Sequence, residues 1–281
     1  MRLQRYARRN AFMAAAGRFL AEREAEHNLI LGIVSGLSDG DEPAPLLMTL
    51  AAEDGAVVGA AIQTPPHNLI LSELDAADAP GRLAAELAGE PLPGVVGPPG
   101  AVRAFADTWA RSAGVAWEVR REERIYRLHE VTEPARVPGS SRLADASDRP
   151  MLRRWLLQFA VEIMDEAEAG LTDRALDGWE RGNGRRFWFW EVDGTPVSMV
   201  SSSGRTPNGI RIGPVYTPTE QRGRGFASRL TAWVSQTMLD EGRAYCFLYT
   251  DLGNPTSNHI YQAIGYRPVT DALMVAFRAQ G

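Results

Sequence analysis

The spacing of apolar residues along the first half of the chain predicts a helix, then a hairpin, then a strand. A helical stretch runs from residue 10 to about residue 35. Two apolar runs at 46–52 and 56–63 flank the turn residues Asp54 and Gly55, a pairing typical of a β-hairpin. A further strand is predicted at 68–74, a short one at 94–97 and a helix at 101–112.

The second half repeats this order of elements. A short strand at 142–145 precedes an amphipathic helix at 148–168. Strands at 186–191 and 196–202 flank Asp193 and Gly194, which predict another hairpin, and a strand follows at 210–217. The repeated order, at an offset of roughly 140 residues, indicates an internal duplication. We therefore predict two domains, residues 1–135 and 136–281, joined by the Pro- and Gly-containing segment 131–141.

Composition and charge exclude several classes of function. The net charge is −5 and no basic block alternates with aromatic residues, so nucleic acid is not an expected partner. No apolar run approaches the ~20 residues that a membrane span requires, and we expect a cytoplasmic protein that does not contact membranes. The lone cysteine, Cys246, excludes an intramolecular disulfide. The four histidines show no metal-ligand spacing, so no metal is expected.

A glycine-containing loop between the strand at 210–217 and the next helix is suited to bind an anion. The loop comprises Arg222, Gly223, Arg224 and Gly225, and it leads into a helix that starts with Phe226 and Ala227. The first amides of a helix lack internal partners, and the helix dipole places partial positive charge there. A dinucleotide-binding motif would need a third glycine and an early βαβ unit, and a P-loop would need lysine, which the chain lacks.

A second segment, from residue 254 to residue 266, predicts a short helix with polar groups on one face. Asn254 is a suitable N-cap, Pro255 suits the first helical position, and Gly265 suits the C-terminal end. Asn258 and Tyr261 are three residues apart and therefore share a face of this helix.

The two segments together resemble the GNAT superfamily of N-acetyltransferases over about residues 142–278. Arg222, Gly225 and Ala227 fit the Gln/Arg-x-x-Gly-x-Gly/Ala signature of that family, and the 254–266 segment is similar to its downstream helix. The resemblance implies an α/β fold of two tandem GNAT-like domains, each with a mostly antiparallel, twisted sheet flanked by helices. It implies acetyl-CoA as cosubstrate. In the family, the backbone corresponding to Val215, Tyr216 and Thr217 pairs with pantetheine, and the loop from Arg222 to Ala227 holds the pyrophosphate. The asparagines corresponding to Asn254 and Asn258 contact the coenzyme.

The reaction implied by the resemblance is direct attack of a small-molecule primary amine on the thioester. Tyr261 would donate a proton to the leaving sulfur, although packing alone would also explain this residue. The strand at 210–217 contains no carboxylate, so the general base is not identified. Glu162 and three further acids of the same helix are candidates for attracting a cationic substrate, although a solvated helix face is the commoner role of such a cluster; the three are Asp165, Glu166 and Glu168.

The first half lacks the loop signature. After its strand at 68–74 it has Asp75 and Asp78, which are acidic where a phosphate would bind. We interpret it as a degenerate copy that no longer binds coenzyme. Two other functions stay open: a catalytically silent acyl-CoA-binding regulatory module, and a protein N-acetyltransferase. A monomer and a homodimer are equally compatible with the sequence.

Overall fold

The computed structural model describes residues 1–38, 43–164 and 169–279, and it divides the chain into two compact units. The first unit contains Met1–Ile125, Tyr249–Asn254 and Pro268–Gly281, and the second contains Tyr126–Leu248 and Pro255–Arg267. The chain therefore enters each unit more than once. The boundary between 135 and 136 stays a prediction.

The same order of elements occurs in both halves of the chain, as the internal duplication predicts. The first half forms, in order, β1 (Arg2–Arg5), α1 (Arg9–Glu22), α2 (Asn28–Gly36), β2 (Leu46–Ala51), β3 (Val57–Gln63), β4 (Leu69–Leu71), α3 (Ala79–Glu86), β5 (Gly94–Gly97), α4 (Pro99–Ala113) and β6 (Val115–Leu128). The second half forms β7 (Ser140–Leu143), α5 (Arg149–Phe159), α6 (Ala169–Glu180), β8 (Arg186–Val192), β9 (Thr195–Arg205), β10 (Gly209–Tyr216), α7 (Phe226–Asp240), β11 (Tyr245–Asp251), α8 (Pro255–Ala263) and β12 (Arg267–Ala279).

Each unit carries a mixed sheet with helices on both faces, which confirms the predicted fold class. In the second unit β7, β8, β9 and β10 are successive antiparallel neighbours, and β10 pairs in parallel with β11. The first unit repeats this pattern from β1 to the parallel pair β4 and β5. There the next strand beside β5 is β12, the last strand of the chain, and the two are antiparallel. The first unit is thus completed by a strand from the second half of the sequence.

The core of the second unit is divided by its sheet, because successive strand residues point to opposite faces. Phe187 and Phe189 of β8 pack with α5 and α6, whereas Trp188 and Trp190 pack with α7. All four rings are buried, so the aromatic residues of β8 contribute to the hydrophobic core on both faces of the sheet. Alternate rings of the run therefore lie on opposite faces of the sheet.

Several predicted boundaries differ from the observed ones. The helix predicted from residue 10 to about 35 is two helices, α1 and α2, separated by a turn in which the His27 amide bonds the Arg23 carbonyl. The helix predicted at 148–168 is α-helical only to Phe159 and continues as a wider π-type turn over Ala160–Met164. Asp165, Glu166 and Glu168 lie outside the described residues. The strand predicted at 68–74 is limited to Leu69–Leu71.

His27 is a buried titratable group in the first unit, and it predicts a dependence of stability on pH. The ring is 1% exposed, and its Nδ1 lies 3.1 Å from the Leu20 carbonyl. Burial lowers the pKa of His27 to about 4, below the ordinary value of about 6.5. The folded protein therefore holds the ring neutral, while the unfolded chain takes up a proton below pH ~6.5.

We expect this proton uptake to remove about 2 kcal/mol of the free energy of unfolding between pH 7 and pH 5. The contribution of neutral His27 to the free energy of unfolding is fully present above pH ~6.5, and it is lost as the pH falls towards the pKa of His27 in the folded protein. Urea unfolding of the wild type and of His27→Gln at both pH values measures the contribution. Equal losses in the two proteins would show that His27 does not carry it.

Candidate functional site

The strands β10 and β11 separate in the second unit, and the separation creates an opening at the centre of the sheet. Their parallel pairing extends from Gly209 to Arg211 on β10, opposite Tyr245 to Phe247 on β11. On its other edge β10 carries a bulge between Ile212 and Val215, where the register against β9 shifts. A bulge bends a strand and interrupts its ladder. The backbone of Val215 and Tyr216 therefore pairs with β9 alone and has one edge available.

The corresponding place in the first unit is closed. There β4 and β5 pair through Leu69 and Ile70, and a Cβ added at Gly97 would lie 2.6 Å from the Leu71 carbonyl oxygen. Such a close approach needs glycine and leaves no space between the strands. The acidic segment after β4 leads directly into α3, which starts at Ala79. These contacts support the interpretation of the first half as a degenerate copy.

The loop before α7 exposes a row of unbonded backbone amides. Gly223 and Gly225 have positive φ angles of 73° and 82°, and Gly225 is the residue immediately before Phe226. Both angles lie in the left-handed region that favours glycine. Among the described residues, Arg229 is the first in this helix whose amide donates to a protein acceptor; it bonds the Gly225 carbonyl at 3.0 Å. The amides from 223 to 228 are therefore available to an anion.

The two arginines of this loop have different surroundings. Arg222 donates through Nε to the Thr217 carbonyl at 2.9 Å and forms an ion pair with Glu162. Arg224 bonds the side-chain oxygen of Gln221 at 2.6 Å, and its guanidinium lies 4.8 Å from the centroid of the Phe226 ring. Arg224 pairs with no carboxylate of the described residues, so its charge is the one that remains available for a phosphate.

Glu162, on the π-type turn that follows α5, joins this loop to the side chain of Tyr216. Its carboxylate accepts from Arg222 and, at 3.0 Å, from the Tyr216 hydroxyl. The hydrogen bond from Arg222 lowers the pKa of Glu162. Burial, followed by the bond to Glu162, raises the pKa of Tyr216 to about 12. A carboxylate that is ion-paired and held ionised is a poor acceptor for a second cation, which argues against Glu162 as the group that attracts a cationic substrate.

A cavity of about 340 Å³ lies beside this network in the second unit. The residues that line it come from α5, from the π-type turn after it, from the end of β10 and from the segment between β10 and α7: Arg154, Trp155, Gln158, Glu162, Tyr216, Pro218, Thr219 and Glu220. Gln158, which no sequence motif marks as functional, accepts a hydrogen bond from the Tyr216 hydroxyl at 3.3 Å. Its position on α5 carries no signal that distinguishes it from any other exposed glutamine.

Tyr261 projects from α8 towards the core of the second unit. Its ring packs edge-on against Tyr266, with 6.1 Å between centroids, and burial raises its pKa to about 12. Its hydroxyl makes no hydrogen bond with any residue that the structure describes. A protonated phenol without a protein partner is a donor available to a ligand.

The two asparagines of the predicted site lie in different units. The side-chain oxygen of Asn258 accepts from the hydroxyl of the buried Tyr126 at 2.8 Å, and Gln262 donates to the same hydroxyl at 3.0 Å. Asn254 belongs to the first unit, where its amide bonds the Asp251 carbonyl at 3.1 Å. Tyr126 lies on β6, a strand that the apolar pattern did not predict.

The predicted cofactor-binding residues of the strand and loop thus lie together within the second unit. The Thr217 carbonyl accepts the hydrogen bond from Arg222, and the Thr217 hydroxyl lies 2.9 Å from the Ser198 hydroxyl. Phe226 is buried below Arg224, and Ala227 occupies the first turn of α7.

No group of His, Cys, Asp or Glu side chains in the described residues is arranged to hold a metal ion. Across the same residues, no helix combines the length and the apolar character that crossing a bilayer requires.

Comparison with known proteins finds a family match in the second half of the chain. The sequence model of the Acetyltransferase (GNAT) family matches residues 150–266. No curated protein matches the chain. Among solved structures, a Drosophila protein is similar over 99% of both chains, at 13% identity and a TM-score of 0.71. A GCN5-related N-acetyltransferase from Kribbella flavida is similar over 92% of this chain and 95% of its own, at 15% identity and a TM-score of 0.62.

A further similar structure bears on the duplication. A tandem GNAT protein from the clavulanic acid biosynthesis pathway matches 100% of this chain and 99% of its own, at 13% identity and a TM-score of 0.59. At such low identity these structures show the fold alone, and they do so along the whole chain. The family match, the sheet that opens between β10 and β11 and the loop before α7 all concern one segment. Residues 150–266 of this chain match the Acetyltransferase (GNAT) family.

Proposed function

We propose that the second unit transfers the acetyl group of acetyl-CoA to the primary amine of a small molecule by direct attack. The observation that carries the proposal is the row of unbonded amides from 223 to 228, placed directly after a strand whose backbone edge is available. A diphosphate on those amides leaves the pantetheine arm to run along β10. The available edge of Val215 and Tyr216 then supplies its hydrogen bonds.

The residues of this unit support the chemical step in two places. A backbone amide near Val215 or Tyr216 polarises the thioester carbonyl and stabilises the negative charge that develops on its oxygen. As the carbon–sulfur bond breaks, Tyr261 donates its proton to the sulfur, and the nitrogen of the attacking amine loses one. Glu162 is a weak base for that proton, because the hydrogen bond from Arg222 lowers its pKa and its two carboxylate oxygens already accept bonds from Arg222 and Tyr216.

The proposal is tested by measuring coenzyme binding and thiol release separately. Calorimetry with acetyl-CoA reports binding, and a thiol reagent reports free coenzyme when single amines from a panel are added. We expect binding without amine, and thiol release only when an accepted amine is present. Binding without release by any amine would favour a silent acyl-CoA-binding module, release on addition of peptides alone would favour protein N-acetylation, and an absence of binding would contradict both the proposal and these alternatives.

A further inference from the structure

Three side-chain hydrogen bonds close a ring around the outer end of β10. The Tyr216 hydroxyl donates to one carboxylate oxygen of Glu162 at 3.0 Å, and Arg222 donates to the other oxygen. The Nε atom of Arg222 also donates to the Thr217 carbonyl at 2.9 Å. Because Thr217 directly follows Tyr216 in the chain, these three bonds and the backbone between the two residues form a closed ring.

The ring lies where β10 has lost one of its two neighbouring strands. The pairing of β10 with β11 ends at Arg211, and its register against β9 ends at Tyr216. A segment held by few hydrogen bonds opens at a low free energy, so side-chain contacts have a large influence on its conformation. The segment from 215 to 217 is also the one whose backbone edge would bind the pantetheine arm. The ring therefore supports the part of the strand that coenzyme binding would use.

The contacts of Arg222 lead back to β10 and to the π-type turn after α5. Besides its two hydrogen bonds, its guanidinium carbon lies 5.9 Å from the centroid of the Tyr216 ring. Glu162 stands on the π-type turn, a kind of element that is frequent at functional sites. The side chains of Glu162 and Arg222 are 33% and 46% exposed, and an isolated ion pair at such exposure contributes little to stability. The contribution of this pair therefore lies in closing the ring.

We infer that Glu162 is a positioning residue for the coenzyme, which acts through Arg222 and Tyr216 to hold the end of β10 and the start of the glycine loop in the conformation that binds acetyl-CoA. This inference rests on the proposed function and deepens it. The opposite role for the same contact is competition, in which Glu162 withholds Arg222 from the phosphates. Removal of the carboxylate weakens coenzyme binding if Glu162 positions the strand and strengthens it if Glu162 competes, so the sign of the effect separates the two roles.

A double-mutant cycle tests the inference, with calorimetry of acetyl-CoA binding as the measurement. Glu162→Gln turns one of the two acceptor oxygens into an amide donor, so one bond of the ring must break. Arg222→Met keeps the length of the side chain and removes both of its hydrogen bonds. We expect each variant to raise the dissociation constant of acetyl-CoA about tenfold. The double variant should show the same rise as either single one, because both substitutions open the same ring.

Steady-state kinetics give a second readout that a purely structural role would not produce. In Glu162→Gln the KM for acetyl-CoA should rise with the dissociation constant, while kcat at saturating coenzyme stays within about twofold, because the ring acts on binding rather than on the chemical step.

Asp173→Asn is the matched control, because Asp173 of α6 is similarly exposed and pairs with Arg153 of α5. This variant should bind acetyl-CoA like the wild type. Unchanged or stronger binding by Glu162→Gln, an equal loss in Asp173→Asn, or losses that add in the double variant would overturn the inference. If the wild type binds acetyl-CoA and releases thiol with an amine while Glu162→Gln binds equally well, the proposed function stands and only this inference fails. A wild type that binds no acetyl-CoA would contradict both.

Discussion

Replacement of Tyr261 by phenylalanine is expected to lower kcat by roughly a hundredfold while the dissociation constant of acetyl-CoA stays within about twofold. The substitution keeps the ring that packs against Tyr266 and removes only a hydroxyl that has no partner among the described residues. A donor that acts on the departing sulfur stabilises the transition state more than the bound substrate, so its loss appears in kcat. Steady-state thiol release and calorimetry on the same preparations measure the two constants.

Tyr266→Phe is the matched control for this experiment. The Tyr266 hydroxyl is buried and lies 2.8 Å from that of Ser235, so its removal should lower stability by about 1 kcal/mol and leave kcat unchanged. Because the pKa of Tyr261 is raised to about 12, its deprotonation should not reduce kcat at any pH up to 10. A Tyr261→Phe enzyme with the turnover of the wild type would show that Tyr261 has a packing role only.

The sequence predicted the parts of the site whose chemistry is local. Gly223 and Gly225 have the positive φ angles that a tight phosphate-binding loop requires, and the short helix predicted within residues 254–266 is observed over Pro255–Ala263. Each of these elements is specified by residues within about one turn of it, namely glycine where φ is positive and proline at the first helical position. Such elements can be predicted from the sequence because they do not depend on contacts with distant residues.

The sequence did not predict the parts that depend on distant pairing. The middle of β6, from Glu118 to Arg124, consists of charged residues apart from Val119, so it shows no apolar alternation. It is a strand because of its neighbours in the sheet, as tertiary context commonly overrides local propensity in strands. The same holds for the ion pair of Arg222 with Glu162 and for the Tyr126–Asn258 bond, whose partners are 60 and 132 residues apart. A pattern along the chain gives the residue types at such positions but not their partners.

The pairing of β12 with β5 in the first unit is a further feature that depends on residues distant in the sequence. The predicted division into residues 1–135 and 136–281 places β12 in the second domain, yet β12 pairs with β5 of the first half. Leu273 and Val275 of β12 are buried in the core that α3 and α4 cover in that unit. The apolar alternation of β12 fits any sheet edge with a matching core, so the choice between two similar edges is not encoded locally.

Replacement of Gly225 by alanine is expected to weaken coenzyme binding by about a hundredfold, which corresponds to the loss of one or two charge-assisted hydrogen bonds. With a φ angle of 82°, a residue with a Cβ is strained by roughly 1–2 kcal/mol, and the added Cβ would lie 3.1 Å from Val137 Cγ1. The loop relieves that strain by changing its dihedral angles, which turns the amides away from the phosphate oxygens.

Gly242→Ala is the control, because Gly242 follows α7 at its other end with a φ angle of 92° and no atom within 4 Å of an added Cβ. Both variants should lose similar stability in urea, while calorimetry should show the loss of coenzyme affinity in Gly225→Ala alone. If Gly242→Ala lost as much affinity, or Gly225→Ala lost none, the amides that open α7 would not be the phosphate-binding group.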